Sequence, residues 1–426
     1  MVRLPDSRSP ARARAWAVVL SLASATALVA CGERIEGGAA CPILCPQQNV
    51  TVLDTVFDPI TIDTSIAPFP SFGTEPLLVL ASRGDSLDTR AVIRFDSLNP
   101  LFNKGGDSTI TAIDSAHLLV HIDRTRSLYT QPVTIQVFDV DTVESDTTVT
   151  PELQLFRPDR LLGSITFDSS KIADSLFIPV DSARVMSAIL DRTRLRLGLR
   201  ATSAAPVMLH IVSSEGGISP SLLYDPSPDT AVHPVVVVPN TSRPLPSVIA
   251  QDYRDYLLIF KAPPDPGPGL EAVGGIPGHR TYLRFNIPSH ILDSSTVLRA
   301  TLILTRSPDR GLDAGKPFTI YPQLVTAGLE VSDLARSALL LAPAAVGFDT
   351  VQVTPSDSGL VDVEIVNALR TWSLAATKNA QRAIVLRSPD ESFLPHRFTF
   401  FSSNAPVPLR PRLRVNYSPL AKFGIP

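Results

Sequence analysis

The chain has 426 residues and a formal net charge of −3. This length exceeds that of one ordinary domain, so two or three domains are expected. A mildly acidic chain without runs of lysine or arginine is a poor candidate for binding nucleic acid. Beyond the N-terminal region, no apolar stretch is long enough to predict a membrane-spanning helix.

Residues 1–30 have the pattern of a bacterial lipoprotein signal peptide. Four arginines precede an apolar run, Ala15–Ala27. Leu28-Val29-Ala30-Cys31 then resembles a lipobox, in which Cys31 is lipidated; a plain secretory signal cleaved near Ala30 is the alternative. No aspartate follows the cysteine directly, which resembles an outer-membrane address. We therefore expect an exported protein attached to the bacterial outer membrane through an N-terminal lipid anchor.

Residues 31–48 are predicted to be a tether between the lipid and the folded part. They contain the two other cysteines, Cys41 and Cys45. Because an exported protein meets an oxidising compartment, a disulfide between these two is expected, with free thiols as the alternative. A metal site is disfavoured because no histidine or further cysteine nearby completes four ligands.

Residues 49–225 predict a first β-sandwich unit. Short Val/Thr/Ile-rich strands, NVTVLDTV and ITIDT, open it. The next two strands place alternate apolar residues inward: Ile93 and Phe95, then Ala116, Leu118, Val120 and Ile122. The pattern also predicts a helix over Asp181–Asp191. Further strands are predicted at Val133–Val137, Leu153–Phe156, Ser164–Phe167, Leu195–Arg200 and Val207–Val212. Asp181 or Ser182 can cap that helix, and Val185 and Ile189 share one of its faces.

Residues 226–247 read as a Pro-rich linker, although Val235–Val238 within it is alternatively the first strand of the next unit. Residues 248–418 predict a second sandwich, and residues 419–426 a tail. Tyr256–Phe260 opens the second unit, and Leu283, Phe285 and Ile287 form its first inward row. Later strands are predicted at Phe318–Tyr321, Thr350–Val353, Ala383–Leu386 and Phe398–Phe401. A helix is predicted over Val361–Leu374, with Ile365, Leu369 and Trp372 on one face.

The two units follow one order of landmarks. Arg94 corresponds to Arg284, Ala116 to Ala300, Thr134 to Thr319, Leu199 to Leu386, Ser213 to Ser402 and Pro220 to Pro411. The offset changes by only a few residues, which indicates a duplication with length changes in loops. Many short strands without strand–helix alternation exclude a mainly parallel sheet. The predicted fold is therefore all-β: two tandem jelly-roll-like antiparallel β-sandwiches, each with a short helix.

These landmarks resemble the DNRLRE-type domain of bacterial and archaeal surface proteins. The first copy matches at Asp63-Thr64, Phe72-Gly73, Arg94-Phe95, Ala116/Leu118, Ser213-Ser214-Glu215 and Pro220/Leu222, and the second at Arg284-Phe285, Ala300/Leu302, Trp372, Ser402-Ser403 and Pro411/Leu413. The first copy lacks the tryptophan in its helix, and the second lacks the opening aromatic-Gly pair. The resemblance implies a β-sandwich related to carbohydrate-binding modules and, as an expectation, binding to a wall or matrix polysaccharide.

No catalytic motif stands out in the sequence. G-x-S-x-G, H-E-x-x-H and P-loop patterns are absent, and the Gly-rich Gly267–Gly275 lies between two predicted strands, where a hairpin loop is favoured over a phosphate cradle. We therefore expect no enzyme activity and no required cofactor.

Two groups of residues invite a metal hypothesis. His117 and His121 lie four residues apart, but on a strand they stand about 13 Å apart, too far to share one ion. The acidic group of Asp139, Asp141, Glu144 and Asp146 could supply oxygen ligands to Ca²⁺. Its spacing is not that of an EF-hand, so a solvated loop is the alternative.

Few aromatic residues are left to bind a sugar. Trp372 is placed on the apolar face of a helix, which predicts core packing. Tyr253, Tyr256 and Tyr282 are the candidates for a stacking platform. Arg94 and Arg284 are predicted to pair with a neighbouring carboxylate or carbonyl.

Three functions follow as hypotheses. A binding module for polysaccharide or another envelope polymer requires two or three coplanar aromatic rings on an exposed sheet. An assembly protein that holds a protein partner requires an exposed aliphatic patch. A polysaccharide hydrolase or lyase requires two carboxylates, or a carboxylate and a histidine, in one cleft.

Overall fold

Alternating apolar residues form strands over most of the chain, and the predicted all-β sandwich architecture is confirmed. The computed structural model describes residues 51–69, 73–103, 107–141, 153–168, 170, 172–227, 234–241, 254–308, 315–327, 348–354, 359–374 and 381–420. Residues 52–426 belong to one compact unit.

The strands of the first half of the chain are β1 Leu53–Phe57, β2 Ile60–Phe69, β3 Leu77–Ser82, β4 Asp88–Phe95, β5 Leu101–Asn103, β6 Asp107–Thr109, β7 Ile113–His121, β8 Val133–Asp139, β9 Leu161–Phe167, β10 Ser175–Pro179, β11 Leu195–Ser203, β12 Val207–Val212 and β13 Ser221–Pro226. Helix α1 spans Ser182–Asp191, and a 3-10 turn spans Pro158–Arg160. As predicted, Asp181 caps α1 by accepting a hydrogen bond from the Ala183 N–H, and Val185 and Ile189 are buried on one face.

The strands of the second half are β14 Val235–Val237, β15 Asp255–Lys261, β16 Leu270–Gly274, β17 Gly278–Phe285, β18 Ser295–Thr305, β19 Phe318–Leu324, β20 Val351–Val353, β21 Leu360–Glu364, β22 Ala383–Arg387, β23 Arg397–Phe401 and β24 Arg412–Pro419. Helix α2 spans Ser289–Leu292, α3 spans Val366–Trp372, and a 3-10 turn spans Val407–Leu409.

Two predicted elements differ from the structure. The helix expected over Val361–Leu374 is confined to α3, because Val361 and Val363 alternate inward and Leu360–Glu364 pairs with β18 as a strand. Leu153–Phe156 is not a strand: Gln154 and Leu155 lie in a turn, and Phe156 packs its ring against Phe138.

The first sandwich packs a large sheet against a four-stranded sheet. The large sheet has the order β12-β3-β4-β11-β8-β9, with β15 also along β4; the smaller sheet has the order β10-β7-β13-β14. Their inner faces share one core, which includes Ile93 and Phe95 from β4 and Leu118 and Val120 from β7. The inward rows predicted for these two strands are confirmed.

The second sandwich repeats this arrangement strand for strand. Its large sheet has the order β20-β19-β22-β17-β16-β23, with β2 along β17, and its smaller sheet has the order β1-β24-β18-β21. Phe285, Leu302 and Trp372 lie in its core, where the Phe285 and Trp372 ring centroids are 5.5 Å apart. Phe95 and Phe285 therefore occupy equivalent places in the two copies.

The opening segments, β1–β2 and β14–β15, cross between the two copies, and the two strands of each segment join different sheets. β1 and β2, which come first in the chain, pair with β24 and β17 of the second sandwich. β14 and β15, which precede the second copy in sequence, pair with β13 and β4 of the first sandwich. The β1–β2 segment therefore completes the second sandwich, and the β14–β15 segment completes the first. The alternation of a strand predicts its inward face but not its neighbour, so this exchange was not foreseen.

The two sandwiches share a small apolar interface. Val79, Ala81, Leu87, Met208 and Leu257 of the first sandwich cluster with Ile276 and Phe393 of the second. His210 is fully buried there, and its Nε2 lies 2.6 Å from the Phe393 carbonyl oxygen. Burial lowers the pKa of His210, so the ring is neutral and donates from Nε2.

Candidate binding sites

The outer face of the smaller sheet in the first sandwich carries several apolar side chains among polar ones such as His117, His121 and Asp225. The strand register places Phe177 beside Leu119, and Pro179 beside His117 and Leu223. Val236 continues the second of these rows on β14. Phe177 and Val236 are 53% and 57% exposed, and Val238, which follows β14, is 54% exposed. We name this face, defined by Leu119, Phe177, Pro179, Leu223, Val236 and Val238, the apolar face.

The equivalent face of the second sandwich carries charges. The register of β18, β21 and β24 places Asp362 where the first sandwich has Phe177, Glu364 where it has Pro179, and Arg414 where it has Leu223. Arg414 donates to the Asp54 carboxylate of β1, and the Arg299 Nε lies 3.0 Å from Glu364 Oε2.

Three positions of this face therefore carry charged side chains in one copy and apolar side chains in the other, so their apolar character is not a requirement of the fold. At two further positions both copies are apolar, since Val56, which is 49% exposed, corresponds to Val236, and Ile303 corresponds to Leu119.

An exposed apolar sheet face is typical of an interaction site. Apart from the imidazole of His117, which lies between Pro179 and Leu223, the apolar face contains one aromatic ring among aliphatic side chains. This composition is expected for contact with a protein rather than for stacking on sugar rings.

A polar pocket lies where β2 joins the second sandwich. It has a volume of about 460 Å³ and is lined by Thr64, Ser65, Ala67, residues 265–271 and His279. The Ser65 hydroxyl donates to Glu271 Oε2 at 2.6 Å and also lies 3.0 Å from the Thr281 hydroxyl. Gly267 and Gly269 form part of the wall, so the Gly-rich segment lies partly in a loop and partly in β16.

The pocket contains a carboxyl group and an imidazole with shifted pKa values. Burial raises the pKa of Glu271 to about 7, against the lowering effect of the Ser65 hydrogen bond, and Asp63 raises it further. Burial and the nearby Arg397 lower the pKa of His279. The His279 Nδ1 lies 2.9 Å from the Pro277 carbonyl oxygen and Nε2 lies 3.6 Å from Asp265 Oδ1. A carboxyl group and an imidazole therefore both line this pocket, and the Glu271 carboxyl group is hydrogen-bonded to Ser65.

A second group of carboxyls lies where β15 closes the first sandwich. Asp255 accepts a hydrogen bond from the Ser214 N–H at 2.8 Å, and Glu215 pairs with Arg254 at 2.8 Å. Burial raises the pKa of Glu75 to about 8 and that of Asp255 to about 7, and their mutual repulsion and that of Glu215 add to the effect. Within the described residues, Glu75 Oε2 and Asp255 Oδ1 have no hydrogen-bond partner.

The tyrosines predicted to stack on sugar are placed differently by the structure. Tyr256 is 3% exposed and Tyr282 is fully buried, because both point into secondary apolar clusters behind the large sheets. Neither ring therefore offers a face to a ligand. Tyr253 lies outside the described residues, and its role stays a prediction.

The acidic group considered for Ca²⁺ is neutralised by arginines where it is described. Asp139 pairs with Arg184 at 2.9 Å, and Asp141 pairs with Arg194 at 2.7 Å. Glu144 and Asp146 lie outside the described residues. Among the residues that the structure does describe, no group of three His, Cys, Asp or Glu side chains is arranged for a metal ion.

Other predicted residues have the following places. His117 and His121 are half-buried on β7, and His121 Nδ1 lies 3.0 Å from the Ser175 hydroxyl. Arg94 pairs with Asp96, which confirms the predicted carboxylate partner, whereas Arg284 is only half-buried. Cys31, Cys41 and Cys45 lie outside the described residues. In the described part of the chain, no helix combines the length and apolarity needed to cross a membrane.

Sequence reasoning missed the residues of the apolar face. β10 was not identified as a strand, although Leu176-Phe177-Ile178 is a short apolar run of the kind that strands use. Aligning the two copies at this point would have shown Phe177 opposite Asp362. The replacement of a charged residue by an aromatic one between the two copies was the sequence signal that could have indicated the apolar face.

Comparison with known proteins adds little. No protein-family model and no curated protein match the chain, so the resemblance to the DNRLRE-type domain stays a prediction. One solved structure that aligns with it is the N-terminal CBM22-1–CBM22-2 tandem domain of Xyn10C from Paenibacillus barcinonensis, at 10% identity over 85% of this chain and 98% of that one. Its TM-score is 0.14, so the likeness carries no argument about fold or ligand.

Proposed function

We propose that this protein is a non-catalytic binding protein of the bacterial envelope that holds a partner protein on the apolar face. The observation that carries the proposal is the difference between equivalent sheet faces in the two copies. The first copy has Phe177, Pro179 and Leu223 where the second copy has Asp362, Glu364 and Arg414, and the last two of these form ion pairs. Partner contact would remove this apolar surface from water, at roughly 25 cal/mol per Å² buried.

The second sandwich supplies the variants that test this proposal. The double variant Phe177→Asp/Leu223→Arg installs residues that the equivalent positions of the same fold already accept as Asp362 and Arg414. Wild-type and variant chains carrying a photo-cross-linker near the apolar face are incubated with envelope extract of the producing bacterium. We expect one protein to be cross-linked by the wild type and at least roughly tenfold less by the double variant.

The matched control is Asp362→Ala/Arg414→Leu on the equivalent face, which should leave capture unchanged. Equal capture by the wild type and by the Phe177→Asp/Leu223→Arg variant would refute docking at this face. An equal loss of captured protein in both double variants would also refute docking at this face.

A second candidate function is polysaccharide binding in the polar pocket. Glu271, Asp265 and the Thr64 hydroxyl line one cavity of about 460 Å³, and such groups accept hydrogen bonds from sugar hydroxyls. On a glycan array this candidate predicts a signal that Asp265→Ala weakens and Phe177→Asp leaves intact. A blank array for the wild type removes it.

We also propose that the protein is exported and lipid-anchored at Cys31. The support is the order of a basic start, an apolar run and the Leu-Val-Ala-Cys sequence. Metabolic labelling with a fatty acid should label the wild type, and Cys31→Ser should abolish both the label and the membrane fraction. A labelled Cys31→Ser chain would contradict the assignment.

A further inference from the structure

We infer that the polar pocket of the second sandwich binds a small molecule through a protonated primary amine. The inference narrows the second candidate function, because it rests on this pocket being a binding site, and it is independent of the apolar face. The starting observation is Glu271, a pocket-lining carboxyl group that is only 8% exposed. No lysine or arginine in the described part of the chain forms an ion pair with it.

The first sandwich shows that the fold does not require a carboxyl group at this place. Three polar residues of the second sandwich stand at the register positions of buried apolar residues in the first: Glu271 at that of Leu78, Thr281 at that of Ala91 and Ser65 at that of Leu257. Burying polar groups where apolar ones suffice costs stability, so the replacement indicates a binding role rather than a structural one.

The three polar residues form one network that orients the carboxyl group. The Ser65 hydroxyl donates to Glu271 Oε2 at 2.6 Å and lies 3.0 Å from the Thr281 hydroxyl. The Thr281 hydroxyl donates to the Ala272 carbonyl oxygen at 2.7 Å. Glu271 Oε1 accepts no hydrogen bond from the described residues, so it is available to a donor that enters the pocket.

The rest of the pocket wall offers further acceptors. None of the described residues that line it is lysine or arginine. His279 donates from Nδ1 to the Pro277 carbonyl oxygen at 2.9 Å, which leaves Nε2 as an acceptor 3.6 Å from Asp265 Oδ1. An ammonium group has three donors, no acceptor and the charge that two carboxylates favour, so it matches this wall better than a neutral hydroxyl does.

The charge of Glu271 makes the binding of an amine depend on pH. Burial raises the pKa of Glu271 to about 7, so the carboxylate form becomes dominant only above neutral pH. The other charged groups around the pocket are Asp63, Asp265 and Arg397, and His279 stays neutral because burial and Arg397 lower its pKa. The affinity for an amine should therefore rise roughly tenfold from pH 6 to pH 8, as Glu271 ionises.

Calorimetric titration of the whole chain at pH 8 tests the inference with matched pairs of probes. The pairs are glucosamine against glucose and butylamine against 1-butanol. We expect the amine of at least one pair to bind roughly tenfold or more tightly than its hydroxyl counterpart. If glucose bound as tightly as glucosamine and butylamine did not bind, the polysaccharide candidate would stand and the amine inference would fail. Failure of both amines to bind would also overturn it.

Substitutions of Glu271 assign the binding to this carboxyl group. Glu271→Gln keeps an oxygen for the Ser65 hydroxyl but removes the charge, so amine affinity should fall roughly tenfold and lose its rise with pH. Glu271→Leu, which installs the residue of the first sandwich, should abolish binding without lowering the melting temperature. The matched control is Glu364→Gln, which changes a carboxylate on the outer face of β21 and should leave affinity unchanged. An amine affinity in Glu271→Gln equal to that of the wild type would refute the site.

Discussion

At the scale of single residues, buried carboxyls control how the stability of this protein depends on pH. Glu75 is 7% exposed and Asp255 is 1% exposed, and both lie beside Glu215 at the seam of β15. Burial and mutual repulsion favour the protonated form of each carboxyl. The folded state therefore holds protons at neutral pH that the unfolded chain has already released.

The sign of the resulting pH dependence follows from linkage. The pKa of Glu75 rises from 4.5 in the unfolded reference to about 8 in the folded protein. Its stabilising contribution is complete below about pH 4 and is lost as the pH rises through about 8. We expect the free energy of unfolding, measured in urea from pH 4 to 9, to fall across this window by on the order of 5 kcal/mol.

The variant Glu75→Gln should make this dependence shallower, because an amide of the same shape cannot ionise. Asp255 and Glu271, whose pKa values are raised to about 7, should retain their part of it. Asp362→Asn, which changes an exposed carboxylate, should leave the slope of the wild type in place. A Glu75→Gln protein whose stability falls with pH as steeply as that of the wild type would show that Glu75 is not protonated in the folded state.

At the scale of elements, the sheets approach closely where β9 passes β10. A Cβ added to Gly163 would overlap the backbone carbonyl oxygen of Pro179, and backbone cannot move as a side chain can. Gly267 offers a matched position, since nothing lies within 4 Å of an added Cβ there. We expect Gly163→Ala to lower the free energy of unfolding by on the order of 2 kcal/mol and Gly267→Ala to change it little.

Chemical denaturation with both alanine variants measures the difference. A Gly163→Ala protein as stable as Gly267→Ala would mean that β9 and β10 are farther apart in solution than in the structure.

Strand patterns made most elements predictable but could not assign their partners. The inward row of Ile93 and Phe95 in β4 follows from the period of two. The opposite face of β4 is buried as well, because Val92 joins a second apolar cluster, and the period does not predict that burial. The same rule identified β2 and β15 as strands. However, a strand with this alternation can pair with any sheet that has a free edge, so the rule does not assign its neighbour. Which sandwich each opening segment joins depends on loop geometry and on contacts such as Asp63 with Ser403, which a single sequence does not display.

The apolar face was missed for a related reason. The exposure of Phe177 becomes evident only when β7 and β13 have been aligned beside β10.

At the scale of the whole molecule, the two sandwiches are coupled through the cluster around Phe393. Its ring packs with Met208 and Leu257, and the Arg126 guanidinium lies 5.7 Å from the ring centroid. The neutral His210 donates to its carbonyl oxygen. Both halves should therefore unfold together in calorimetry.

Removing this ring should separate the two transitions. We expect Phe393→Ala to cost about 3 kcal/mol of coupling and to split one heat-absorption peak into two. Phe177→Ala, which truncates an exposed ring on the apolar face, should leave a single peak. If Phe393→Ala gave a single peak, shifted to lower temperature without splitting, the opening segments and not the apolar interface would couple the two sandwiches.

The pairing of β1 with β24 also brings Leu53 opposite Tyr417. A circular permutant that joins these neighbouring ends by a short linker and opens the chain between β15 and β16 would read β16–β24, β1–β2 and then β3–β15. In that order every strand of each sandwich is consecutive, so the crossing of the opening segments disappears while each strand keeps its neighbours. The native chain and the permutant are thus two linear orders of one cyclic arrangement of strands, and in the native order a strand of the second sandwich comes first.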